Sequence, residues 1–141
     1  MTDTQQETVR AVSGRIATLR GNCMGAAVLL IIQFAIGIGV NLYIEVPTNK
    51  SFLPAVFSSA ALAAHAVVAL VLLAAAISAL VRAIRLRKAI VFTSMGLAAI
   101  LVAAFAGSAF VGDGSNGSSL TMALATAVAM FSYLAAIFSL R

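Results

Sequence analysis

The chain is 141 residues long, 62% of them hydrophobic and only 9% charged, with a net charge of +5. A soluble domain carries about a quarter charged residues, and one of this size cannot hide so much apolar surface, so composition excludes an ordinary water-soluble protein and makes lipid the solvent for much of the chain. The basic residues sit at the ends of apolar runs without interleaved aromatics, which argues against nucleic acid as a partner.

Residues 1–20 are polar and carry Arg10, Arg15 and Arg20. Val9, Val12, Ile16 and Leu19 recur at helical spacing, so this cytoplasmic tail is expected either as a short amphipathic helix on the membrane surface over residues 8–19 or as a frayed segment. The apolar run that follows is longer than the core of a signal peptide and is not followed by a small-residue cleavage site, so it reads as a retained first span. That span covers about 22–44, enough to cross a hydrocarbon core of ~30 Å, with Tyr43 at the headgroup level. Its lone cysteine, Cys23, excludes an intrachain disulfide and reads as a small packing residue.

The loop EVPTNKSF (45–52) turns at Pro47, and a second span is predicted over about 53–81 with Pro54 in its first turn. It ends in the basic cluster Arg82, Arg85, Arg87 and Lys88. A third span follows over about 89–111. The turn-forming stretch GDGSNGSS (112–119) then leads into a fourth over about 120–140, with Ser118 or Ser119 as the expected N-cap. Of the nine Lys and Arg residues, only Lys50 falls on the side opposite the others. Positive charge stays cytoplasmic, so both termini are predicted inside a bacterial plasma membrane and both short loops outside.

Four spans with short connections predict an all-α membrane protein, a four-helix up-down-up-down bundle forming one transmembrane domain over residues 21–141. Helices in lipid associate where small residues let backbones approach. The candidates are the Gly21/Gly25 GxxxG pair, Gly37 and Gly39 on the first span, Ala60, Ala64, Ala74 and Ser78 on the second, and Gly96 and Gly107 on the third.

An ionisable residue inside a span is the first place to look for function. This chain has one, His65, and the strongest polar residue of span one is Gln33. Counted from the outer surface at 1.5 Å per residue, both fall roughly 16–18 Å deep, where they meet if the two spans are neighbours. The structural role for His65 is a neutral hydrogen bond to Gln33 or to the Ser132 hydroxyl, contributing on the order of 0.6 kcal/mol and up to about 2. The sharper role is a proton relay or an axial haem ligand, with Met130 at similar depth as a conceivable second ligand. One histidine supplies no bis-histidine haem site within a chain, although a homodimer brings two. Met95, Met122 and Met130 otherwise read as gap-fillers.

The four acidic residues, Asp3, Glu7, Glu45 and Asp113, all fall in tails or loops. No carboxylate pair, metal cluster or oriented Ser–His arrangement is therefore expected at membrane depth, and no catalytic activity. A small transporter finds little support either, because Gly37 and Gly39 are the only candidate helix interruption.

The stretches VRAIRLR (81–87), AAFAGSAF (103–110), SSLTMAL (118–124) and FSYL (131–134), with VNLYIEVP (40–47) and AAHAVVAL (63–70), cover most of the chain beyond residue 40. In them the chain resembles a group of uncharacterised four-span integral membrane proteins of actinobacteria. That resemblance implies the same four-span architecture and no particular activity. Members of the group often carry longer outer loops with histidines, and the short loop here has none, which speaks against an extracellular metal or haem site. The expected role is a structural or accessory subunit, with the bilayer and either a second copy or a larger membrane complex as partners. The alternative is a cofactor-binding protein centred on His65.

Overall fold

The computed structural model describes residues 3–45 and 51–141. Pro47 and Lys50, expected as the turn and the lone outer cation, lie outside the described residues. The described residues form five helices: α1 (Asp3–Tyr43), α2 (Phe52–Val56), α3 (Ala60–Leu86), α4 (Ile90–Asp113) and α5 (Asn116–Ser139). There is no strand among them. All but the five-residue α2 are long and apolar enough to cross a membrane. Each long helix packs on its neighbours in the chain, and α5 closes the ring against α1, leaving α1/α4 and α3/α5 on the diagonals. The protein is an all-α membrane protein, a four-helix up-down-up-down bundle.

The helix ends differ from the expected spans in three places, each for a local reason. Residues 3–20 are neither frayed nor separated from the first span, because α1 runs through 41 residues without a break. That is about 61 Å at 1.5 Å per residue, twice what a bilayer core requires. The second span does not begin at Leu53. α2 stops at Val56, where the Ser58 hydroxyl donates to the Ala55 carbonyl at 2.6 Å, and Ser59 caps α3 by accepting from the Leu62 N–H at 3.2 Å. Two serines in an apolar run thus start a new helix by taking over backbone bonds. Finally, the N-cap of α5 is Ser115 and not Ser118 or Ser119, accepting from the Ser118 N–H at 3.2 Å. Gly114 supplies the left-handed residue that ends α4, at φ 63°.

The α3–α4 turn is built without glycine. Arg87 and Ala89 both adopt left-handed conformations, at φ 53° and 56°. The Lys88 N–H reaches back to the Ala83 carbonyl and the Arg87 N–H to the Ile84 carbonyl, both at 3.1 Å, satisfying the last carbonyls of α3 in a Schellman arrangement.

The bundle is packed small-side in. Its interior is lined by Ala26, Ala27, Ala76, Ala79, Ala83, Ala99, Ala129 and Ala136, with Leu19, Leu30, Leu72 and Tyr133 filling the space between. The large apolar side chains point outward, among them Ile31, Leu70, Val91, Phe105 and Phe131. This inversion of the soluble pattern follows from lipid being as apolar as leucine, so that close backbone approach takes over from hydrophobic burial as the packing force.

Candidate functional site

Two polar side chains on neighbouring helices meet inside the bundle. Gln33 of α1 is only 9% exposed, and its Nε2 lies 3.0 Å from His65 Nε2 on α3. Gly37 stands one turn beyond Gln33 and leaves the space the imidazole occupies, since a Cβ there would sit 3.2 Å from His65 Cε1. With the carboxamide N–H donating, His65 Nε2 is the acceptor and the proton of the neutral ring belongs on Nδ1. Nδ1 and Gln33 Oε1 are both buried without a hydrogen-bond partner. The pair therefore has one donor and one acceptor to spare.

Because α3 begins at Ala60, His65 lies five residues along it, about 8 Å from its start at 1.5 Å per residue. It is thus much nearer the α2 end than the depth counted from Leu53. α1 passes beyond the start of α3, which keeps Gln33 level with it.

Ser132, the other expected partner of His65, is buried but donates to the Val128 carbonyl of its own helix at 2.7 Å. Met130 packs at the edge of the core on α5, the helix diagonal to α3. Among the described residues no group of His, Cys, Asp and Glu is arranged to hold a metal ion. What the site offers chemically is one neutral imidazole, oriented by a carboxamide, with no carboxylate on any described residue beside it.

A second polar link was not anticipated. Asn22 Nδ2 donates to Ser78 Oγ at 3.3 Å, again joining α1 to α3. The signal was available, since Asn22 is a polar residue opening an apolar run and Ser78 lies on the second span. Together the two links fix the antiparallel register of α1 on α3. A third feature had no sequence signal. Tyr133 is fully buried against Gly96 of α4, where a Cβ would lie 2.7 Å from its ring, and its hydroxyl has no partner.

The expected packing residues divide. Gly37, Gly96 and Gly107 face side chains of neighbouring helices, whereas Gly21, Gly25 and Gly39 have nothing within 4 Å of a Cβ position. Ala60, Ala64 and Ala74 are exposed, and the stripe of α3 that enters the core is Leu72, Ala76, Ala79 and Ala83. Arg82 and Arg85 lie exposed on the last turns of α3, and Arg87 and Lys88 in the turn after it. Compared with known protein families, curated proteins and solved structures, the chain matches none.

Proposed function

We propose that the protein is an accessory subunit of a larger membrane assembly, without catalytic activity or cofactor of its own. It sits in the plasma membrane of a bacterium akin to the actinobacteria, with both termini cytoplasmic. It meets its partner through the small-residue faces of α1 and α3 that its own bundle leaves unused. One observation carries this reading. Gly21 and Gly25 lie on the outside of α1, bare of any neighbouring atom within 4 Å. Glycine in a helix interior costs roughly 0.5–1 kcal/mol relative to alanine, a cost that close packing by another helix offsets. Ala60 and Ala64 are likewise exposed, at the other end of α3. The test is native mass spectrometry of the protein extracted gently from its own membrane, wild type against Gly25→Leu/Ala64→Leu. The expected result is a mass above one chain for the wild type and a folded single chain of 14.4 kDa for the variant. An assembly that survives both substitutions overturns the proposal.

A further inference from the structure

At the basic end of the bundle, α1, the α3–α4 turn and the end of α5 enclose an open groove of about 580 Å³. Arg20, Lys88 and Arg141 line it together with Met24, Leu140 and Gly21. The three cations come from three separate parts of the chain and are brought to one place only by the fold. Arg141 is held in position, its guanidinium 4.5 Å from the centre of the Phe138 ring. The acidic residues nearest in sequence to Arg20 are Glu7 and Asp3 on the same helix, at least thirteen residues and so about 20 Å away along the axis. The other wall is apolar. Met24 is half exposed and opens directly onto the lipid-facing surface of α1, and Arg20 stands immediately before the apolar run.

We propose that this groove binds the phosphate headgroup of an anionic phospholipid, with the acyl chains lying along α1 past Met24. The arrangement matches such a molecule end for end: cations where the phosphate sits and apolar surface where the chains run. An acidic peptide satisfies only the first half. Each Lys or Arg near an anionic lipid surface is worth about a fivefold change in binding.

The experiment is native mass spectrometry of the full-length protein released from mixed bilayers of equal phosphatidylglycerol and phosphatidylcholine. Wild type should retain phosphatidylglycerol preferentially. Arg20→Gln and Lys88→Gln should each lower that preference about fivefold, and Arg10→Gln, which removes the same charge further along α1, should leave it unchanged. Equal retention of the two lipids by wild type overturns the proposal, as does an Arg10→Gln effect as large as that of Arg20→Gln. Inorganic phosphate at matched ionic strength should not displace the lipid; displacement assigns the groove to the free anion instead. Binding of a polyglutamate peptide that Arg20→Gln and Lys88→Gln abolish, without lipid preference, assigns it to an acidic protein segment and likewise overturns the lipid. Circular dichroism checks that each variant keeps its helices; the two single substitutions at exposed positions are independent tests should one of them fail to fold.

Discussion

Gln33 and His65 share one hydrogen bond between two apolar helices. Removing either partner strands the other, whereas removing both leaves an apolar contact of similar shape. His65→Leu or Gln33→Leu alone should therefore destabilise the bundle by about 1–2 kcal/mol. The double variant should cost less than the sum of the two single losses, by a coupling of roughly 0.6–1.7 kcal/mol in an unfolding cycle in detergent. Additive losses would show that the 3.0 Å contact contributes nothing. The Gly96–Tyr133 contact is steric in origin. A methyl group on residue 96 meets a fully buried ring at 2.7 Å and has nowhere to go, so Gly96→Ala should cost about 1–3 kcal/mol. The same change at Gly25, where nothing is near, should instead gain roughly 0.5–1 kcal/mol. The Gln33–His65 pair was legible in the sequence because polar atoms are scarce in apolar runs, and scarcity marks them. Gly96 against Tyr133 was not, because nothing in the 36 intervening positions says which face of α4 meets which face of α5.

Among the elements, the α3–α4 turn carries an unusual demand. Arg87 and Ala89 hold left-handed φ angles that cost a non-glycine residue roughly 1–2 kcal/mol each. Ala89→Gly should therefore leave stability unchanged or raise it by up to about 1 kcal/mol, the gain in φ freedom offsetting the added chain entropy. Ala98→Gly, on an exposed helical position of α4, should lose about 1 kcal/mol. Thermal unfolding of the two variants side by side checks the sign, and equal losses would mean that the turn is unstrained. The existence and number of the long helices followed from run length alone. Their ends did not, because Ser58 and Ser59 read as small residues in a span until their hydroxyls are seen to bond the backbone. Nor did the inward faces. When core and surroundings are equally apolar, a helix carries no hydrophobic contrast to show which alanines turn in.

Across the whole molecule, the placement of charge makes a statement about orientation. Arg82, Arg85, Arg87 and Lys88 stand at the same end of the bundle as Arg15, Arg20 and Arg141, and the proposed topology puts that end in the cytoplasm. In intact cells a membrane-impermeant maleimide should then label Lys50→Cys and spare Gln6→Cys until the cells are opened. The native Cys23 is buried and should stay silent in both. The opposite pattern would invert the topology while leaving the bundle, the polar pair and the basic groove in place.

The length of α1 has a mechanical meaning. Asn22 lies abreast of Ser78, and α3 ends eight residues later, so α1 passes the end of α3 near Gly14 and continues for eleven residues, about 16 Å at 1.5 Å per residue. No break separates that overhang from the part that carries Gln33. The two ends of α1 therefore move as one lever with its fulcrum in the bundle. A force on Asp3 would then reach Gln33, some 45 Å away along the axis by the same rise per residue, as a change of tilt. A chain with a hinge at residue 20 could not transmit it.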